Sequence, residues 1–371
     1  MSVEGGAPLV LVAAGGTGGH LFPAEALSVE LAKRNIIIEI ATDERAQEYG
    51  GKFPARATHI IPSASLRGRN PLSYARTGAV IAFGTLKAWQ LIGRIKPAVV
   101  VGFGGYPTIP PLLAASLRGV PSVMHEQNGV MGRANRLLAP RVTAIATSFR
   151  QVAYADAYSA KMAFTGNPVR PAVIAAASIP YTAPDAAGPL RLVVFGGSQG
   201  AQIMSQIVPA AVERLSPALR ARLQIVQQAR AEDLAQVRDI YSRLNVKAEA
   251  AAFFPDLPAR MAAGHLIIAR SGATTVAELA AVGRPAILVP LPHALDQDQR
   301  ANAGVLEKAG GAIRVDQKDF TPGWLSGEIA RLAADPARLA GMAKSARTAG
   351  TLDAAGRLAD LVLKVAGLTP R

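Results

Sequence analysis

Residues 9–22, LVLVAAGGTGGHLF, constrain the fold most strongly, because a close echo returns at residues 191–203, RLVVFGGSQGAQI. Each copy is an apolar, β-branched run that stops at a glycine-rich turn and opens into a helical pattern. A run apolar at every residue suits a strand of a parallel sheet covered on both faces. The glycines suit a turn needing φ > 0 or close backbone approach. Free N–H groups at the start of the following helix make an anion site. Aligned, Gly15–Gly16–Thr17–Gly18–Gly19–His20 falls on Gly196–Gly197–Ser198–Gln199–Gly200–Ala201, so His20 stands where the second copy has Ala201. Two such units predict two doubly wound α/β domains with a cleft between them.

The rest of the chain keeps the alternation. Strands are expected at residues 9–13, 36–41, 59–61, 98–101, 122–124 and 142–146, with helices at 23–34, 73–94, 110–118 and 132–138. The second half repeats the rhythm, with strands at 191–195, 224–228, 246–251, 265–269, 286–289 and 312–315 and helices at 201–215, 232–244, 274–282 and 299–309. This order implies parallel sheets with helices on both faces. Gly166–Asn167–Pro168 marks a turn, residues 177–189 a loop, and the tail from about 336 is helical. The expected domains are 1–167, 168–345 and a C-terminal helix over 346–371.

The 371 residues contain no cysteine, which excludes disulfides, a thiol nucleophile and Cys-ligated metal. No stretch has the pattern of a signal peptide or the length of a membrane span, so a cytoplasmic protein is expected. The net charge of +14 is uneven: no acidic residue occurs between Glu48 and Glu126. That interval carries Lys52, Arg56, Arg67, Arg69, Arg76, Lys87, Arg94, Lys96 and Arg118, interleaved with Leu72, Tyr74, Ile81, Phe83 and Trp89. Basic and apolar side chains so mixed suit an anionic membrane surface, or the solvated face of an ordinary helix. Nucleic acid is the weaker partner, because no RNA- or DNA-binding motif appears.

Local strings add chemistry. GGTGGH departs from the dinucleotide pattern GxGxxG, although Asp43 sits where a ribose-binding acid would. HEQNGVMGRANRLLA, residues 125–139, clusters polar groups directly after a strand. In ARSGATTVAELAAVGRP, residues 269–285, Ser271–Gly272–Ala273–Thr274 offers N–H and hydroxyl donors at a helix start, suited to a diphosphate. Glu278, one turn past Thr274, can accept both hydroxyls of a ribose or pair with a neighbouring Arg as a surface acid. Asp296–Gln297–Asp298 can hold a divalent metal or open a helix, where acids favour the dipole. The second reading is preferred.

GGTGGHLFPA, GFGGY, HEQNGVMGRAN, GNPVRP, GGSQGAQ, RSGATTVAEL and DQDQRANA, in this order and spacing, resemble the MurG family of GT-B glycosyltransferases. The resemblance spans nearly the whole chain. It implies two Rossmann-like domains facing across a cleft. It also implies inverting β-1,4 transfer of GlcNAc from UDP-GlcNAc to lipid I, forming lipid II at the cytoplasmic face of the inner membrane without a bound metal or cofactor. Donor contacts are implied for Thr17, Gly18, Gly19, Asn128, Arg170, Ser198, Phe254, Ala273, Thr274, Thr275, Val276, Ala277, Glu278 and Gln299. Acceptor pyrophosphate contacts are implied for Gly16, Thr17, Gly18, Gly19, Gly104, Gly105 and Tyr106. The chain departs from the family where Phe254 replaces a common aliphatic residue and Asp298 a common Gln or His. Other cell-wall synthesis proteins are candidate partners. The transfer needs a base for the acceptor hydroxyl, and histidine titrates in the right range. His20 is the candidate, the alternative being that it only orients the pyrophosphate, and His125 is assigned a structural hydrogen bond. The competing functions are another GT-B UDP-sugar transferase, a dinucleotide oxidoreductase and a non-catalytic membrane-binding module.

Overall fold

The computed structural model describes residues 7–16, 18–44, 53–64, 71–185, 187–197, 200–292 and 297–368. The chain divides into two compact units, Met1–Arg170 with Leu352–Arg371, and Pro171–Thr351. Both are α/β units built on an all-parallel sheet.

The first unit runs β1 (Leu9–Ala13), α1 (Gly18–Lys33), β2 (Ile37–Thr42), β3 (Ala57–Ile60), α2 (Pro71–Ile95), β4 (Val99–Gly102), α3 (Ile109–Leu117), β5 (Ser122–Glu126), α4 (Arg133–Leu138), β6 (Ala144–Thr147) and β7 (Met162–Phe164). Its strand order is β3-β2-β1-β4-β5-β6-β7. β1, β4, β5 and β6 are buried along their whole length, as continuous apolar runs demand.

The second unit runs α5 (Pro171–Ala177), β8 (Leu190–Phe195), α6 (Gln202–Glu213), α7 (Pro217–Arg222), β9 (Leu223–Gln228), α8 (Leu234–Arg243), β10 (Lys247–Ala251), α9 (Leu257–Ala263), β11 (Leu266–Ala269), α10 (Ala273–Val282), β12 (Ala286–Leu288), α11 (Asp298–Ala309), β13 (Ala312–Arg314), α12 (Pro322–Ala333) and α13 (Pro336–Thr348). Its order is β10-β9-β8-β11-β12-β13. The chain then returns to the first unit as α14 (Ala354–Val365). Leu358, Ala359, Val362 and Leu363 of α14 pack with Leu27 and Leu31 of α1 and with Val99, Val101, Val123 and Ala146 of the sheet. Arg34 ties the helix down through Asp360, at 2.5 Å.

Several boundaries differ from the sequence reading. α1 opens at Gly18, ahead of Pro23, so His20 belongs to its first turn and not to a preceding loop. Pro23 is the sixth residue of α1, past the four N–H groups that lack intrahelical partners, so α1 does without a hydrogen bond from residue 23 to the Gly19 carbonyl. β6 opens at Ala144 because the Val142 amide still donates to Leu138 O, closing the turn after α4. The half-buried β7 and the helices α5, α7, α9 and α12 were not expected.

Candidate active site

Ligands of open parallel sheets collect outside the carboxyl ends of the strands, where the strand order reverses. In the first sheet that point lies between β1 and β4, in the second between β8 and β11. Each glycine turn therefore sits at the switch point of its own sheet.

In the first unit Gly16 has φ +86°, a conformation that favours glycine. Its amide donates to Asp43 Oδ1 at 3.1 Å. A Cβ on Gly15 would stand 2.7 Å from the same oxygen. Asp43 is buried and turned onto the glycine turn itself. This corrects the reading of Asp43 as a ribose-binding acid.

His20, in the first turn of α1, has Nδ1 3.2 Å from Gln127 Oε1. Gln127 Nε2 donates to Phe103 O at 2.9 Å. The other ring nitrogen lies beside the segment after β4: a Cβ on Gly105 would stand 3.3 Å from His20 Nε2. Gly104 and Gly105 have φ +76° and +72°, so the backbone comes close where a side chain would intrude. Burial pushes the His20 imidazole below the ordinary histidine range, while Gln127 and the Phe103 carbonyl pull it back in part. His125 is fully buried, with Nε2 donating to Gly166 O at 3.1 Å, and burial holds it down at about 4.

Glu126, at the end of β5, went unassigned in the sequence. Its carboxylate is buried and accepts from the Asn128 amide, the Gly132 amide and Asn135 Nδ2 at 2.9, 2.9 and 2.7 Å. Burial raises its pKa and these donors lower it in part. One acid thus shapes the whole loop from Gln127 to Asn135 and holds Asn128. Gly18 packs against the Phe22 ring, and the Arg170 guanidinium lies over that ring, 4.0 Å from its centroid. Tyr106 opens a short 3₁₀ turn and is partly buried against the core.

In the second unit Gly197 repeats Gly16 with φ +89°. The Gly196 amide donates to Gln228 Oε1 at 3.2 Å, and Gln228 Nε2 donates to Ala252 O at 3.2 Å. Gln228 therefore joins the glycine turn to the loop carrying Phe253 and Phe254, a role the sequence did not suggest. The Phe254 ring is buried, with the Arg260 guanidinium 4.4 Å from its centroid, whereas Phe253 is 66% exposed. Arg260 is itself held by Glu249 and Asp256 at 2.6 and 2.8 Å.

Gly272 starts α10 without a side-chain cap, and Ala273, Thr274, Thr275, Val276 and Ala277 form its first turns. The positive end of the helix dipole stabilises an anion there. Ser271 contributes differently from expectation. Its hydroxyl is fully buried and donates to Gln299 O at 2.8 Å, fastening α11 to the α10 start instead of facing a ligand. Asn302 Nδ2 adds a bond to Ser271 O at 3.3 Å. Gln299 Oε1 accepts from the Leu291 amide at 3.1 Å. Glu278 is 4% exposed, which removes the surface-acid reading. Asp298 Oδ1 accepts the Gln299 amide at 2.7 Å, in the first turn of α11. Thr17, Ser198, Asp296, Arg67 and Arg69 lie outside the described residues. Among the described residues no three His, Asp or Glu side chains converge on a metal-sized site.

α2 presents two faces. Thr77, Ile81, Gly84, Ala88 and Leu91 recur at alternating spacings of four and three and turn inward. Ile81 packs against the core, which corrects its assignment to a membrane face. Tyr74, Phe83, Leu86 and Trp89 are exposed, as is Leu117 at the end of α3. Lys87 lies over Phe83 and Arg118 over Trp89, at 4.9 and 3.7 Å from the ring centroids. Arg76 is exposed on the same helix. Among the described residues no helix is long and apolar enough to cross a membrane.

Residues 10–147 match the glycosyltransferase family 28 N-terminal domain and residues 191–358 the family 28 C-terminal domain. The chain is 60% identical over 366 residues, 98% of each chain, to a Rhodopseudomonas palustris (strain BisB18) protein. That relative is named UDP-N-acetylglucosamine--N-acetylmuramyl-(pentapeptide) pyrophosphoryl-undecaprenol N-acetylglucosamine transferase. A Nitrobacter winogradskyi protein of the same name is 60% identical over 361 residues, covering 97% of this chain and 98% of that one. Among solved structures, Acinetobacter baumannii MurG superposes with a TM-score of 0.76 at 27% identity, over 96% of this chain and 99% of that one.

Proposed function

The chain belongs to glycosyltransferase family 28, and from that premise we propose that it moves GlcNAc from UDP-GlcNAc to the C4 hydroxyl of MurNAc in lipid I, forming lipid II with inversion. The observation that carries this reading is the likeness, over 98% of the chain, to a transferase named for those substrates. The acceptor O4 forms a bond to the anomeric carbon as the bond from that carbon to the β-phosphate oxygen breaks. The hydroxyl proton passes to His20 Nε2, and UDP leaves carrying the negative charge.

The residues fit this division of labour. The first unit supplies the base, and Gly104, Gly105 and the loop held by Glu126 contact the acceptor. Asn135 Oδ1, buried near Gly104, has no protein partner and offers an acceptor for a sugar hydroxyl. The second unit holds the donor. The dipole of α10 stabilises the diphosphate, and Glu278 accepts from the ribose. The loop after β10 holds the uracil through its backbone, since the Phe254 ring is already covered. No divalent metal takes part, and Asp298 serves the start of α11. Purified protein incubated with UDP-GlcNAc and a short-chain lipid I analogue should release UDP and the disaccharide, with EDTA leaving the rate intact. Absence of product, or restoration by Mn²⁺ after EDTA, overturns the corresponding part.

The lipid acceptor stays in the bilayer, so the protein works at the inner face of the plasma membrane as a peripheral protein. The outer face of α2 is the docking surface, through Tyr74, Phe83 and Trp89 with Arg76 and Lys87. Apolar insertion adds a salt-resistant part to an electrostatic attraction of about 1 kcal/mol per basic residue near the surface. Phe83→Ser with Lys87→Glu should reduce sedimentation with anionic vesicles while UDP binding persists; unchanged sedimentation rejects this face.

A further inference from the structure

We propose that Gln127 is a positioning residue that fixes the tautomer of His20, keeping the ring proton on Nδ1 and leaving the Nε2 lone pair for the acceptor hydroxyl. This rests on His20 being the base. The two ends of the Gln127 amide are distinguished by their surroundings. Phe103 O, 2.9 Å away, only accepts, so the NH₂ end must face it. Oε1 is then the end 3.2 Å from His20 Nδ1. Oε1 also only accepts, so Nδ1 must carry hydrogen. A neutral imidazole has one ring proton, and Nε2 is therefore the basic nitrogen. Reversing the amide would set two carbonyl oxygens against each other. Nε2 is also the nitrogen beside Gly105, where the absence of a side chain leaves room for a substrate.

The anchor comes from the sheet. β4 and β5 pair with Gly102 level with Met124, so Phe103 and Gln127 leave adjacent strand ends. A histidine on α1 is thus oriented by a residue far away in the chain, itself held by a backbone carbonyl. The orienting group is a neutral amide. A carboxylate in its place would raise the imidazole pKa, whereas the amide aligns the ring without adding charge. The other titratable groups around the site are engaged elsewhere. His125 donates to Gly166 O, Glu126 holds the loop amides, Asp43 holds Gly16, and Arg170 lies over Phe22 with its charge acting on Glu25. The shift of His20 comes from burial, Gln127 and Phe103. Its direction keeps the base neutral to lower pH, so turnover rises with pH through the lowered value and is flat above it.

Nitrogen NMR of ¹⁵N-histidine-labelled full-length protein at pH 8, with His20→Asn to assign the signal, reads the tautomer without any turnover. Protonated Nδ1 and bare Nε2 are expected; a proton on Nε2 overturns the proposal. Gln127→Glu should move the acid limb of the kcat/KM profile upward by about one pH unit or more, since an opposite charge now faces the ring. Gln127→Met should lower kcat about tenfold, the size of one lost hydrogen bond, and leave KM for UDP-GlcNAc unchanged. An unmoved pH profile in Gln127→Glu, or full kcat in Gln127→Met, sinks the positioning role. Near-normal turnover of His20→Asn sinks the base assignment and with it the catalytic purpose of Gln127, while the wild-type tautomer is read separately.

Discussion

The two glycine turns open alike and differ in what is clamped to them. Gly16 and Gly197 adopt nearly the same φ, +86° and +89°, after the first strand of each unit. Behind the first turn stands a carboxylate, Asp43, and behind the second a neutral amide, Gln228. After the first turn the helix carries His20, whereas the aligned Ala201 stands just ahead of α6. The duplicated scaffold clamps each turn from the neighbouring strand end, at the Gly16 amide in the first and one aligned position earlier, at the Gly196 amide, in the second. The neutral clamp belongs to the unit proposed to hold the donor, where a carboxylate would oppose the diphosphate. The acidic clamp belongs to the turn that precedes the proposed base.

His20→Ala should have the largest effect, cutting kcat by about 10²–10⁴ if the ring is the general base. Ala201→His should create no activity in that background, because no counterpart of Gln127 orients the new ring. Near-normal turnover of His20→Ala would make the two turns chemically equivalent and end the comparison.

Glu278→Ala comes next. Loss of a carboxylate that accepts ribose hydroxyls costs roughly 1.5–3 kcal/mol. Calorimetry should show UDP binding weakened accordingly, with acceptor KM little changed. Equal losses on both substrates would make Glu278 a structural acid. Gln228→Glu sharpens the contrast directly, by giving the second turn the charge of the first. A like charge near the diphosphate should weaken UDP binding about tenfold, ~1.4 kcal/mol. Unchanged affinity would mean that the diphosphate lies elsewhere. Asp43→Asn is the mildest. The amide keeps a hydrogen bond to Gly16 but loses its charge, so urea denaturation should show a loss of about 0.5–1.5 kcal/mol. UDP affinity should stay as it was, and a fall comparable to that of Gln228→Glu would assign the nucleotide to the wrong turn.

The central strands were legible because a parallel strand buried on both faces is a continuous apolar run, and glycine marks its end. β7 was not, because its three half-buried residues leave no such run. α9 and α12 escaped because Pro258, Pro322 and Gly323 sit in their first turns, where prolines and glycines also signal loops. His20 and the two turns stood out by repetition. Glu126 and Gln127 lay inside a string already marked as polar, yet their roles depend on Phe103, Asn135 and His20, which only the folded sheet brings beside them. Asp43 and Ser271 misled for the same reason. Each looks like a ligand-facing group by position, and each turns out to fasten one loop to another.

The return of α14 to the first unit has a consequence for the order of synthesis. The face it covers, with Val99, Val101, Val123 and Ala146, is translated before Pro171, whereas its cover comes only after the whole second unit. At roughly 5–20 residues per second, the first unit waits on the order of 10–40 s with that apolar surface uncovered. The nascent chain should therefore engage chaperones early, and a chain stalled within the second unit leaves that face of the sheet with α1 but without α14.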